Sequence, residues 1–209
     1  CCTVWLNGVE LGRHIGGYLP FTFELTDHLS SDPFTLELCV TDPTDTGFLS
    51  RGKQRLKHAG IWYTPQSGIW QTVWLEAVPQ NYLHSLRITP QPEKNTVHFR
   101  LDADDPAHAD IAVHKDGIII AAGESGTNGE ALLSIPAEQL RLWSPEDPFL
   151  YDVTITLAGG DTVESYFGMR SFGIGTDEKG LPRLLLNGKP YFQNGLLDQG
   201  YWSDGYYTA

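Results

Sequence analysis

The sequence predicts an all-β protein: two β-sandwich units followed by a C-terminal hairpin. Three observations carry this. Apolar and polar residues alternate with a period of two through many short runs, as half-buried strands require. The 209 residues include 22 Gly and 13 Pro, spread along the chain, which favours short strands and turns over long helices. Apolar residues make up 41% and aromatics 11%, enough to build cores and against disorder.

The elements follow in order. Val4-Trp5-Leu6 and Val9-Glu10-Leu11-Gly12 read as two strands around Asn7-Gly8, a turn pair whose residues both tolerate positive φ. Gly16-Gly17 makes a second turn. Phe21 to Leu25 alternates, with Phe21, Phe23 and Leu25 on one face; Phe34 to Val40 does the same, placing Phe34, Leu36, Leu38 and Val40 inside. Residues 41–68 are irregular, too long for a plain connector. Ile69 to Val78 reads as a β-branched and aromatic strand. After a join over Pro79 to Leu86, strands are predicted at 86–90, 96–101, 109–113, 117–121, 131–135 and 151–157, spaced as in an immunoglobulin-like sandwich without its cysteine pair. Pro136 to Leu140 fits one helical turn, and Val163 to Phe172 reads as the closing strand. From Gly173 the character changes. Leu184-Leu185-Leu186, the Asn187-Gly188 turn and Tyr191 to Leu197 read as a hairpin. Its second arm is apolar on both faces, a parallel-sheet signal.

Charge and cysteines exclude several functions. A net charge of −12 repels phosphate backbones and anionic membrane surfaces, so neither nucleic acid nor membrane is an expected partner. No run of 18 apolar residues occurs. Of three cysteines, Cys1 and Cys2 are adjacent; no disulfide scaffold and no CxxC zinc spacing is present, and neither metal nor cofactor is expected. The chain opens in mid-strand, its only methionine is Met169, and it stops in an aromatic stretch, which reads as a portion of something larger.

Five stretches, in order, resemble glycoside hydrolase family 2: VWLNGVELGRHIGGYLPFTFELT (4–26), GIWYTPQSGIWQTVWLEAV (60–78), LWSPEDPFLYDVTITL (142–157), YFGMRSFGI (166–174) and LLLNGKPYFQNGLLDQGYWSDG (184–205). Single pieces are unspecific; the ordered set is specific. The resemblance implies that residues 1–83 are the later part of a sugar-binding jelly-roll domain. Residues 84–174 would be the immunoglobulin-like sandwich, and 175–209 a linker with the first strand of a (β/α)8 barrel. It implies a β-galactosidase-like or β-glucuronidase-like retaining exo-glycosidase whose two catalytic glutamates lie beyond Ala209, so the chain itself is expected to be inactive. It also implies a carbohydrate partner. A homo-oligomer and a cytoplasmic location are further expectations. The rival reading is a stand-alone carbohydrate-binding or adhesive β-sandwich protein.

No catalytic residue is expected in the chain. The substrate-binding candidates are Asp42, Asp45, Trp62 and Tyr63 in the long loop, with Asp198, Gln199 and Trp202 near the end. Aromatic faces stack on the C–H faces of a sugar while carboxylates and amides bond its hydroxyls. The bland alternative is that Trp62 and Tyr63 pack on a neighbouring domain. Ser67 reads as a turn residue, since no His/Asp partner pattern accompanies it, and Trp143 as a plug of the sandwich. On the family comparison Asp198 and Gln199 sit at the C-terminal end of the first barrel strand, where barrel chemistry sits. Many members carry an Asn-Arg-His-Glu type run there; this chain has Leu197-Asp198-Gln199-Gly200.

Overall fold

A computed structural model describes residues 1–29, 33–198, 200–202 and 204–205. The chain is almost entirely strand, turn and irregular backbone. Helical residues among those described are three single 3-10 turns, at Thr26–His28, Pro92–Lys94 and Ala137–Gln139. No helix among the described residues is long and apolar enough to cross a membrane. The chain divides into two compact units, Cys1–Trp74 with Leu197–Ala209, and Leu75–Leu196.

The first unit holds β1 (Cys2–Leu6), β2 (Val9–His14) and β3 (Leu36–Val40) in one antiparallel sheet ordered β2-β1-β3. Asn7 and Gly8 both take positive φ, 49° and 81°, and close the β1–β2 hairpin as their residue types predict. Alternation along the central strand buries Cys2, Val4 and Leu6. Leu36, Leu38 and Val40 face the same side, paired with Leu6, Val4 and Cys2. They are not fully inside: on an edge strand of three they stay 37–39% exposed.

Two predicted strands of this unit are absent. Phe21–Leu25 makes no ladder; His14 stacks on Phe21 at 4.6 Å and Phe21 meets Phe23 edge-on at 5.7 Å, so the aromatic faces pack locally. Residues 69–78 also lack a ladder; the Trp70 indole N–H instead donates to the Gly17 carbonyl at 2.8 Å. Alternation prepares a strand, but a strand exists only where another takes up its N–H and C=O groups.

The second unit is a sandwich. One sheet is ordered β4-β5-β8, with β4 (Ser85–Gln91), β5 (Thr96–Asp102) and β8 (Glu130–Ser134). The other is ordered β10-β9-β6-β7, with β6 (Asp110–Lys115), β7 (Ile118–Glu124), β9 (Tyr151–Thr156) and β10 (Thr162–Phe167). Every pairing is antiparallel. Val97, Phe99 and Leu101 of β5 meet Ile111, Val113, Val153 and Ile155 of the facing sheet in one apolar core. Phe167 completes it, stacked on Tyr151 at 5.3 Å and edge-on to Phe99 at 6.4 Å. The buried Tyr151 hydroxyl is satisfied: it donates to the Gln139 carbonyl at 2.7 Å and accepts the Arg141 N–H at 2.6 Å. Burial pushes its phenol pKa up.

The predicted closing strand splits. After β10 the chain leaves the ladder at Gly168 and resumes as β11 (Phe172–Thr176), which pairs with β12 (Pro182–Leu186) and through it with the two-residue β13 (Lys189–Pro190). At the break the main-chain N–H of Trp143 donates to the Met169 carbonyl at 2.9 Å, beside a parallel bridge between Leu142 and Met169. Trp143 is half-buried at the flank of the sandwich, where Tyr151, Phe99 and Phe167 already fill the core, so it does not plug it. The apolar arm Tyr191 to Leu197 is likewise not a strand. Tyr191 N–H still donates to the Leu184 carbonyl of β12 at 3.0 Å, but the residues after it form no ladder, and Phe192, Leu196 and Leu197 stand 84%, 97% and 86% exposed.

Candidate functional site

The loop from Asp42 to Gly68 in the first unit folds through its own hydrogen bonds. Asp42 joins its two ends: Oδ1 accepts the Thr44 amide at 2.7 Å and Oδ2 accepts the Ser67 hydroxyl at 2.6 Å. Asp45 Oδ2 accepts the Leu56 amide at 3.4 Å. Gln54, nearly buried, donates from Nε2 to the Arg51 carbonyl at 3.0 Å and accepts the Gln66 amide on Oε1 at 2.9 Å. Around it Tyr63 N–H donates to the Lys53 carbonyl at 2.8 Å, and Arg55 N–H to the Tyr63 carbonyl at 3.3 Å, in a short parallel bridge. Arg51 Nε and Gln66 Nε2 are buried donors with no acceptor among the described residues.

Two rings emerge from this frame. The Arg55 guanidinium lies over the Trp62 ring, 3.8 Å from its centre. Tyr63 stacks on Tyr201 at 4.9 Å with 28° between the planes, and the Tyr201 hydroxyl donates to the Thr64 carbonyl. Segment 197–205 therefore returns to this loop within the same unit.

The structure thus gathers Asp42, Asp45, Trp62 and Tyr63 in one hydrogen-bonded loop. Trp202, half-exposed, and Asp198, exposed, follow in the segment that carries Tyr201; Gln199 lies outside the described residues. Sequence reasoning missed Gln54 as the hub, Arg55 as the cover of Trp62, and Tyr201 as the partner of Tyr63. Only the aromatic density of 201–207 hinted at the last. Ser67 spends its hydroxyl on Asp42, as a loop-closing residue and not a nucleophile. Among the described residues no three His, Cys, Asp or Glu side chains gather as metal ligands would. The loop carries two aromatic rings, Trp62 under Arg55 and Tyr63 against Tyr201, and two carboxylates, Asp42 and Asp45, that accept hydrogen bonds within the loop.

Comparison with known proteins finds similar chains. Residues 81–170, which span β4 through β10, match the family model of glycosyl hydrolases family 2. The beta-glucuronidase of Rattus norvegicus is 24% identical over 220 residues, covering 92% of this chain and 33% of its own length. The beta-galactosidase large subunit of Leuconostoc lactis is 26% identical, covering 88% of this chain and 30% of its own length. Among solved structures, the β-D-glucuronidase of Dictyoglomus thermophilum superposes with a TM-score of 0.68 at 20% identity, over 93% of this chain and 35% of that one. The Ruminococcus gnavus β-glucuronidase bound to D-glucaro 1,5-lactone also reaches 0.68, at 18% identity, over 93% of this chain and 34% of that one. The chain spans about a third of the length of the curated relatives it matches. The family model thus matches the sandwich of the second unit, and over most of its length the chain is similar in sequence to beta-glucuronidases and a beta-galactosidase subunit and in fold to solved β-glucuronidases.

Proposed function

We propose that this chain is the non-catalytic β-sandwich portion of a glycosidase that hydrolyses O-glycosyl bonds of β-linked sugars. The observation that carries the reading is the family match over residues 81–170, in a chain spanning about a third of its relatives. In this reading the complete enzyme is a retaining exo-glycosidase with one carboxyl group as acid/base and one as nucleophile, both supplied from outside these residues. The loop Asp42–Gly68 contributes to holding the saccharide: Trp62 stacks on a sugar face, and Asp42 and Asp45 accept from its hydroxyls. Tyr63, braced by Tyr201, fixes the loop. Asp198, Gln199 and Trp202 belong to the same saccharide surface. Self-association through the exposed Phe192, Leu196 and Leu197 is part of the proposal.

The test is a pair of measurements on the purified protein. Aryl β-D-glucuronides and β-D-galactosides should not be turned over, while methyl β-glycosides should quench or shift indole fluorescence in a way that Trp62→Ala removes. Turnover that co-purifies with the chain and disappears on substituting one of its own carboxylates overturns the non-catalytic assignment. Saccharide binding untouched by Trp62→Ala overturns the loop's role. The self-folded state of the loop around Gln54 favours a second reading, in which the unit binds carbohydrate without serving catalysis.

A further inference from the structure

A groove of about 700 Å³ opens on the flank of the sandwich, between the edge strands β4 and β10 of its two sheets. It belongs entirely to the second unit and lies outside the loop discussed above. Its described lining has an unusual make-up. Arg170 is the only charged residue, in a chain whose net charge is −12. Thr89, Ser165, Tyr166 and Ser171 supply four hydroxyl groups, and the remainder is apolar or aromatic.

The position of Arg170 is set by its neighbours. Its guanidinium lies over two rings, 4.2 Å from the centre of Trp143 and 5.1 Å from that of Phe172. Stacking of this kind occupies the planar faces of the cation and leaves its edge donors free. No ion pair or hydrogen bond of the Arg170 side chain exists among the described residues, whereas Arg141 and Arg183 are paired with Asp147 and Asp177. The backbone on either side is fixed as well. Met169 accepts from Trp143 N–H, and Ser171 exchanges hydrogen bonds with Asn187 at 2.9 and 3.0 Å. Gly168 lets the Trp143 ring lie flat against the chain: a Cβ there would stand 3.0 Å from three Trp143 carbons. Tyr166 and Phe172, which line the groove, are 65% and 70% exposed.

We propose that this groove binds an acidic saccharide, a pyranose carrying a carboxylate, with Arg170 gripping the carboxylate, Tyr166 or Phe172 stacking on the ring, and the hydroxyl side chains meeting the sugar hydroxyls. The chemistry selects this class. A pre-oriented guanidinium with free edge donors suits a bidentate carboxylate, the hydroxyl-rich wall suits a polyol, and the volume suits one or two sugar rings. A peptide docking along β4 or β10 would use the free strand edges and have no need of four side-chain hydroxyls. The site is independent of the reading of the Asp42–Gly68 loop.

The experiment is a two-dimensional amide NMR titration of the labelled protein with D-glucuronate and, in parallel, with D-glucose, which has the same ring without the carboxylate. Glucuronate should shift the amides of Tyr166, Gly168, Ser171 and Phe172, and glucose should not. Arg170→Gln should weaken the apparent Kd about tenfold, and Arg170→Lys, which keeps charge but loses the planar fork, about threefold. Tyr166→Ala alters an exposed side chain and should weaken binding in a chain whose remaining spectrum is unchanged, which separates loss of site from loss of fold. Trp62→Ala should leave this titration unaltered, so failure here is distinct from failure of the loop reading. Equal responses to both sugars, shifts confined to other residues, unchanged affinity in Arg170→Gln, or displacement of glucuronate by an acidic peptide of higher affinity would each overturn the assignment.

Discussion

The side-chain amide of Asn187 donates to the Trp143 carbonyl at 3.0 Å, 44 residues away in sequence, while its Oδ1 accepts the Ser171 amide at 3.0 Å. One turn residue thereby joins the β11–β12–β13 sheet to the flank of the sandwich. Asn187 also holds a positive φ of 52°, a conformation that asparagine tolerates better than most residues. Asn187→Ala removes both side-chain hydrogen bonds and strains the turn. Loss of about 2–3 kcal/mol is expected, from about 1 kcal/mol per hydrogen bond plus the backbone term. Asn187→Gly restores the backbone freedom alone and should lose less. Thermal unfolding followed by circular dichroism ranks the two, and equal losses would show that the hydrogen bonds dominate.

Gly168 is a position where close approach requires the absence of a side chain, because an added Cβ would press on Trp143 at 3.0 Å. Gly168→Ala should destabilise by roughly 1–3 kcal/mol, the range for overpacking. It should also shift the Trp143 indole N–H resonance. A stable variant with that resonance unmoved would contradict the packing.

Tyr151→Phe leaves the Gln139 carbonyl and the Arg141 amide without the hydroxyl that joins them at 2.7 and 2.6 Å. A cost of about 1–3 kcal/mol is expected at this buried site. The midpoint of denaturant unfolding measures it, with an unchanged slope confirming that the folded core is otherwise intact.

Asp177 organises the turn between β11 and β12. The Leu181 and Lys179 amides donate to its Oδ1 at 3.0 and 2.9 Å, and Arg183 Nε to its Oδ2 at 2.9 Å. These bonds, that from Leu181 foremost, hold its carboxyl below the ordinary carboxylate value. A lowered folded-state pKa means a stabilisation that is complete above the ordinary value of about 4. It is lost as pH falls through the lowered one. Asp177→Asn should therefore reduce stability at neutral pH and flatten the acid limb of the stability profile. An acid limb of unchanged slope would rule out this carboxylate as a contributor.

Ending the chain after Asn194 keeps β1–β13 and removes Tyr201, the ring stacked on Tyr63. Backbone amides of the Asp42–Gly68 loop should exchange with deuterium faster, while those of β5, β6 and β9 keep their protection. Unchanged exchange in the loop would mean that Gln54 and Asp42 suffice to hold it.

What the sequence determined by itself was the alternation and the turn chemistry. Asn7-Gly8 closed its hairpin, the runs from Leu86 to Leu157 became β4 to β9 with bounds shifted by three residues at most, and Pro136 to Leu140 formed one 3-10 turn. These depend on side-chain period and local φ preference, which neighbouring residues carry. Pairing was decided only in the tertiary structure. Phe21–Leu25, residues 69–78 and Tyr191–Leu197 have strand-like composition yet make no ladder, because a strand is completed by hydrogen bonds to a partner that its own residues do not name. The candidate site divides the same way. Asp42, Asp45, Trp62 and Tyr63 were legible as chemistry-bearing residues of a long loop. That Gln54 would knit the loop, that Arg55 would cover Trp62, and that Tyr201 would meet Tyr63 follow from contacts made only once the chain has folded back on itself, since stacking and hydrogen bonding depend on distance in space and leave no period in the sequence.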